Sequence, residues 1–163
     1  MRIAIMADTH NHSGRMKRAA ERLRADDIHL LLHAGDLTSA AVLTCLEGFE
    51  LWLAAGNMDE IGLEEAVSQL WGAGRYADFH QLTLEGRAIA LLHGHDAARL
   101  QQAIHSGRYA YVIHGHTHRR RDERLGGTRI INPGSLARPM DLNDPGYAVL
   151  DLSTDDLWYV GIP

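Results

Sequence analysis

Residues able to do chemistry recur in this sequence as short polar blocks set behind apolar runs: Asp8-Thr-His10, Gly35-Asp36, Gly56-Asn57, His93-Gly-His95 and Gly115-His116-Thr-His118. Their donors, Asp8, His10, Asp36, Asn57, His93, His116 and His118, comprise two carboxylates, one amide and four imidazoles. Such a borderline-hard set suits manganese, iron, zinc or nickel better than calcium or a thiolate zinc finger. The donors outnumber what one tetrahedral ion uses, whereas two divalent ions about 3.5 to 4 Å apart, sharing one carboxylate, would use them all. Manganese is the first expectation. Each block alone reads as an ordinary turn or surface histidine; the recurrence carries the argument.

For these blocks to meet, the apolar runs before them must be strands with a common end. Arg2 to Ala7, Ile28 to Ala34 and Phe49 to Ala55 are short, largely apolar and bounded by polar or glycine residues, as buried strands of an α/β sheet are. In open α/β sheets the carboxyl ends of the strands form one crevice, where residues distant in sequence come together. In an extended segment residues i and i+2 point the same way, so Asp8 with His10, and His116 with His118, are expected to aim together, with Thr9 and Thr117 turned away. The flanking glycines allow close approach of the backbone to a ligand.

Helical patterns separate the strands. Ser13 can cap a helix with Met16, Ala19, Ala20 and Leu23 on one face, and Thr38 or Ser39 a second carrying Ala41, Val42, Cys45 and Leu46. Gly62 to Gly72 reads as a third, more acidic helix. The grammar then changes: Phe79 to Leu84 and Ala88 to Leu92 form a hairpin, followed by a helix over Ala97 to Ile104 and a strand at Tyr109 to Ile113. A second hairpin turning at Gly126 and Gly127 and two last strands, Tyr147 to Leu152 and Trp158 to Ile162, close the chain. The order predicts a parallel portion completed by antiparallel strands, with helices outside. Asp141 to Gly146 reads as a surface turn, and Trp52, Trp71 and Trp158 are expected in the core.

Composition narrows the function. At 163 residues and 45% apolar content the chain is expected to form one domain, 1–163, with a core that needs no disulfide. The single Cys45 cannot pair internally and reads as a small buried apolar group, which suits a reducing cytoplasm. No run approaches the ~20 apolar residues of a membrane span, and Met1 to Ala7 leaves no room for a signal peptide, so a cytoplasmic protein without membrane contact is expected. A net charge of −5 and a single lysine, Lys17, argue against a general nucleic-acid binder. Neither a Gly-rich phosphate loop ending in Gly-Lys nor a Gly-x-Ser-x-Gly elbow is present. No motif encodes an oligomeric state.

Taken in order, Asp8-Thr-His10, Gly35-Asp36, Gly56-Asn57-Met-Asp59, His93-Gly94-His95 and Gly115-His116-Thr-His118 resemble the blocks of the calcineurin-like metallophosphoesterases. Asn132-Pro-Gly-Ser135 is similar to their small bacterial and archaeal phosphodiesterase branch. The resemblance implies an α/β fold, a four-layer αββα sandwich of two mixed β-sheets flanked by helices. It also implies one metal on Asp8, His10, Asp36 and His118 and another on Asp36, Asn57, His93 and His116, with Asp36 shared. A water or hydroxide held by both ions would attack phosphorus in line on a small phosphodiester. Asp36, Asn57 and His93 are thus expected to serve catalysis through the metals.

In many larger relatives a histidine follows the metal-binding Asn and assists the leaving group; here that position is Met58, which carries no proton to give. Water, or less readily His12 or His95, would have to supply it; both histidines also read as solvent-facing neighbours of the ligands. Asp59 reads either as a carboxylate orienting a ligand histidine or as a helix-start carboxylate. Arg119 to Arg121 and Arg138 could reach a phosphate, but alternation with Asp122 and Glu123 favours an exposed strand. Two rival functions remain: a protein-interaction scaffold like the retromer subunit similar to this family, whose ligand blocks are incomplete, and a nuclease, whose relatives carry additional DNA-binding surface.

Overall fold

The computed structural model describes Met1–Pro163. Its strands are β1 (Arg2–Met6), β2 (Leu30–His33), β3 (Glu50–Ala54), β4 (Tyr76–Ala77), β5 (Phe79–Leu84), β6 (Arg87–Leu92), β7 (Tyr111–Ile113), β8 (Arg120–Leu125), β9 (Thr128–Pro133), β10 (Gly146–Asp151) and β11 (Asp156–Gly161). Its helices are α1 (Ser13–Ala25), α2 (Leu63–Trp71) and α3 (Ala97–His105). One sheet runs β11-β10-β1-β2-β3-β4 and the other β5-β6-β7-β9-β8. Each is mixed. In the first, β1 to β4 are parallel and β10 and β11 antiparallel; in the second, β6, β7 and β9 are parallel, with β5 and β8 as antiparallel edges.

Strict alternation along the strands builds the layers. Ile3 and Ile5 of β1, Leu30 and Leu32 of β2, Ile89 and Leu91 of β6 and Ile113 of β7 fill the space between the two sheets. Their neighbours Ala4, Met6 and Leu31 turn outward onto α1, where Met16, Ala19, Ala20 and Leu23 are buried as the helical period predicts. On the other sheet Ala90, Leu92 and Val112 turn outward onto Leu100, Ala103 and Ile104 of α3. The result is the α/β sandwich of two mixed sheets between helices. Because the central strands are covered on both faces, they read as continuous apolar runs.

The two hairpins are tight. Leu84 pairs with Arg87 across Glu85 and Gly86, both at positive φ, and Leu125 pairs with Thr128 across Gly126 and Gly127. Several details depart from expectation. His12, not Ser13, caps α1 by accepting the Arg15 N–H at 3.4 Å. The second helix is a 3₁₀ segment, Ala40–Leu46, capped by Ser39; it buries Val42, Leu43 and Leu46 and leaves Ala41 exposed. With three residues per turn, Leu43 and Leu46 fall on one face of the coil, which brings Leu43 inward. The short β4 carries no periodic signal. Trp52 and Trp71 are half-buried against the core, but Trp158 on edge strand β11 is 39% exposed. Cys45 packs half-buried on the core, and no helix is long and apolar enough to cross a membrane.

Candidate metal centre

Five of the parallel strands of the two sheets end at one crevice, and the loop after each of these delivers a donor: Asp8 and His10 after β1, Asp36 after β2, Asn57 after β3, His93 after β6, His116 and His118 after β7. The loops do not stay extended. Asp8, His10, Asp36, His116 and His118 all have φ between +43 and +69°, a region L-residues occupy at a cost and keep where the surroundings enforce it. The expected i, i+2 alternation is therefore replaced by left-handed turns. Thr9 and Thr117 still turn from the donors, Thr9 to His33 Nε2 at 2.8 Å and Thr117 to accept from the Asn132 amide at 3.1 Å.

The donors form two groups of converging lone pairs. Asp8 and Asp36 are buried, with the Asp8 Oδ2 accepting the His116 N–H at 3.0 Å and the Asp36 Oδ1 accepting the Met58 N–H at 2.9 Å. Asp8 Oδ1 is buried with no hydrogen-bond donor. His118 Nε2 stands 3.3 Å and His10 Nε2 4.0 Å from that oxygen, and the two nitrogens are 3.2 Å apart. Around Asp36 Oδ2 stand His93 Nε2 at 3.4 Å and His10 Nε2 at 3.7 Å, with Asn57 Oδ1 3.1 Å from His93 Nε2.

Backbone carbonyls fix which nitrogen faces inward. His93 Nδ1 lies 2.8 Å from the Ala34 carbonyl and His118 Nδ1 2.8 Å from that of Arg138; a carbonyl only accepts, so both Nδ1 atoms carry a proton. Each neutral ring then presents an Nε2 lone pair to a carboxylate. Lone pairs facing lone pairs repel unless a cation lies among them, and the groups Asp8–His10–His118 and Asp8–Asp36–His93 are compact enough to hold one. The protonation tendencies show the same demand for positive charge between rings and carboxylates, a demand that a proton on Nε2 can also meet. Burial disfavours a charged His93, yet Asp36 and Ala34 hold its pKa above the ordinary imidazole value, and Asp8 does so for His118. Burial likewise disfavours ionised Asp36, but His93 and the Met58 amide bring it down to about 2.

Two glycines permit this density. A Cβ on Gly56 would stand 2.2 Å from Asp36 Oδ1, and one on Gly115 would stand 2.8 Å from the Ala34 carbonyl. His116 joins neither compact group; its ring lies 5.1 Å from that of His93 and it is exposed. His95 is also exposed, 5.5 Å from His93 and 6.3 Å from His116 between ring centres. His12 is committed to the start of α1. Arg120 is held by Asn143 and the Asp144 carbonyl, and Arg121 by Glu123, as on a solvated strand.

Asp59 takes neither expected role: it accepts from Thr38 N at 2.8 Å, Gly56 N at 2.7 Å and the Tyr76 hydroxyl at 3.3 Å, tying the loops of Asp36 and Asn57 together. Asn132 and Ser135 do the same on the other side. Asn132 donates to the Gly115 carbonyl at 2.8 Å, while Ser135 donates to the Asp8 carbonyl at 2.8 Å and accepts the Arg138 N–H at 2.8 Å. Their sequence signal was the Asn-Pro-Gly-Ser turn, whose bracing role no spacing reveals. His33 and His114 are buried neutral rings beneath the site, held down to about 3 and about 4 by burial.

Residues 1–155 match the model of the calcineurin-like phosphoesterase superfamily domain. A phosphodiesterase of Methanocaldococcus jannaschii is 33% identical over 138 residues, covering 82% of this chain and 83% of the relative. The solved structure of an archaeal phosphodiesterase superposes with a TM-score of 0.88 at 29% identity, covering 98% of this chain and 99% of that one. Vps29 of Entamoeba histolytica, as a single mutant, shares the fold with a TM-score of 0.72 at 20% identity, covering 98% of each chain.

Proposed function

The chain belongs to the calcineurin-like phosphoesterase superfamily, and from that premise we propose that it is a dinuclear metal-dependent phosphodiesterase acting on small diesters. The observation that carries the proposal is the convergence of unpaired acceptors: Asp8 Oδ1, buried without a donor, and Asp36 Oδ2, each facing imidazole lone pairs. Asp8, His10, Asp36 and His118 would hold one divalent cation and Asp36, Asn57, His93 and His116 the other, manganese being the first expectation. When bound, the pair would acidify the attacking water and neutralise the phosphoryl oxygens.

The protein's own part is to hold its donors in place before any ligand arrives. Ala34 and Arg138 lock two imidazoles in one tautomer, Asp59 fixes the Asn57 loop to the Asp36 loop, and Asn132 with Ser135 fixes the Asp8 loop to the His116 loop. Asp36 stays ionised throughout the neutral range. Met58 is exposed beside Asn57 and has no proton to donate, so the leaving group takes its proton from water or from His95 at the rim.

Bound metal measured by mass spectrometry, together with hydrolysis of bis-p-nitrophenyl phosphate after manganese loading, tests the proposal. Wild-type protein is expected to bind about two ions per chain and to turn over, and Asp36→Ala to do neither. A metal-free protein that stays inactive after manganese loading would instead favour a scaffold.

A further inference from the structure

Beyond His93 two open cavities lie side by side. The smaller, about 130 Å³, is walled by His93, His95, Asp78 and Arg99, so it begins at the candidate metal centre. The larger, about 240 Å³, is walled by Phe79, Tyr109, Gln102 and Arg108, and again by Arg99. Arg99 is thus their shared wall.

The sequence accounts for this shape. On α3 and the residue after it, Arg99, Gln102, Ala103 and Ser106 fall at i, i+3, i+4 and i+7 and form one stripe along the notch. Opposite them, Phe79 and Gln81 stand two apart on β5, an edge strand, and so share one face. Phe79 pairs across the sheet with Leu92, the residue before His93, so the aromatic wall sits about one strand spacing, ~5 Å, from the strand that delivers the donor.

The polar lining is not needed for packing. Leu100, Ala103 and Ile104 already fill the apolar side of α3. Arg99 is only loosely engaged, 3.9 Å from Asp78 and 5.8 Å over the Phe79 ring, and Arg108 is exposed. Phe79 and Tyr109 meet edge to face at 6.1 Å, leaving ring surface toward the notch. Aromatic rings that can take a flat group, two guanidiniums for an anion and the amides of Gln81 and Gln102 for ring heteroatoms are therefore gathered within reach of the metal site.

We propose that this notch is the subsite for one arm of a linear phosphodiester, an arm carrying a flat aromatic ring and a second negative charge, as a nucleotide does; the inference rests on the phosphodiesterase reading above. At about 240 Å³ the notch falls below the ~300 to 1,000 Å³ of sites that enclose a whole drug-sized ligand, and so takes part of a substrate whose reacting phosphate lies elsewhere.

The test compares two esters with the same leaving group on the manganese-loaded protein: thymidine 3′-phosphate 5′-(p-nitrophenyl phosphate), whose arm carries both the flat ring and a second negative charge, and methyl p-nitrophenyl phosphate. The nucleotide ester is expected to be favoured about tenfold or more in kcat/KM, mainly through KM, and Arg99→Gln/Arg108→Gln to bring that ratio close to one. In parallel, calorimetry with adenosine 3′,5′-bisphosphate is expected to show binding weakened about tenfold in the double variant. If both esters are hydrolysed equally by wild-type protein, or the ratio survives in the variant, the subsite is overturned and the phosphodiesterase reading stands. If neither ester is hydrolysed but the bisphosphate binds in an arginine-dependent way, the subsite stands and the phosphodiesterase reading falls. Bisphosphate binding that ignores the double substitution overturns the subsite in either case.

Discussion

Where the parallel strands begin, Arg129 donates to both oxygens of Asp122 at 2.7 and 2.9 Å and to Asp155 at 2.8 Å, and Asp155 also receives the Tyr111 hydroxyl and Arg124. Where the same strands finish, Asp8 and Asp36 are more deeply buried, yet they face imidazoles whose inward nitrogens carry no proton in the neutral state. Both clusters concentrate charge in a small fold. At one end every carboxylate has its cation within the chain, and of its charged residues only Asp155 takes a positive φ; at the other the carboxylates have no cation from the chain, and Asp8, His10, Asp36, His116 and His118 all take one. A cluster that is internally paired serves the fold, whereas one that converges unpaired acceptors is built around a ligand.

The largest effect should come from breaking the unpaired end. Asp36→Asn is expected to lower kcat/KM for bis-p-nitrophenyl phosphate by about 10³-fold or more, since it removes the carboxylate proposed to serve both ions. Denaturant melts of the metal-free variant should nevertheless show only a modest loss of stability: the fold favours the Asp36 charge through His93 and the Met58 amide, and the asparagine keeps an oxygen to accept that amide. Arg129→Met should do the opposite. Stripping the guanidinium from Asp122 and Asp155 is expected to cost about 3 kcal/mol in the same melts, while activity per folded molecule stays at the wild-type value. If Arg129→Met abolished turnover in folded protein, or Asp36→Asn unfolded it, the division between the two ends would be wrong.

Acid should also separate them. Burial first, and then the neighbouring His93, hold His33 down to about 3, so between that value and the ordinary 6.5 the unfolded chain binds a proton that the folded chain refuses. Stability therefore falls as pH drops below about 6.5, and the His33 contribution reaches about 2 kcal/mol at pH 5. Asp122 and Asp155 behave differently: Arg129 holds Asp122 below the carboxylate range, and Arg124 and Arg129 overcome burial to do so for Asp155. Their contribution is complete above about pH 4 and is lost only as pH falls further. Denaturation of metal-free protein at pH 7.5, 6 and 5 checks this, with His33→Gln expected to flatten the upper part of the profile; an unaltered slope would remove His33 from the account.

The site could be read in sequence to the extent that its signals are local. Each donor sits behind a strand buried on both faces, and such strands advertise themselves as apolar runs, so the positions of Asp8, Asp36, Asn57, His93 and His116 at strand ends followed directly. The shape of the loops did not. An Asp-x-His spacing fits an extended segment, but the left-handed turns at Asp8 and His10 are imposed from outside, in part by Ser135, 127 residues away from Asp8. Asp59 was misread for the same reason, since which groups a loop carboxylate meets depends on how the loop curls. The paired end gave no motif at all: Arg129, Asp122 and Asp155 meet only through the β8–β9 hairpin and the β10–β11 turn, and singly each is an ordinary surface residue.

The smallest expected effects divide the two histidines that flank the donors. His12 accepts from the Arg15 N–H at the start of α1 and belongs to neither compact donor group, so His12→Ala should remove a cap worth about 0.5 to 1 kcal/mol and leave turnover unchanged. His95 stands exposed beside His93 and His116, where a departing alkoxide could receive its proton. His95→Ala should therefore slow a diester with an alkyl leaving group more than one releasing p-nitrophenolate, which needs no proton. Equal losses on both substrates would leave solvent as the acid. A leaving-group-dependent loss in His12→Ala instead would mean that the α1 cap opens during turnover and that the working face of the crevice extends to the Asp8 side, away from Arg99.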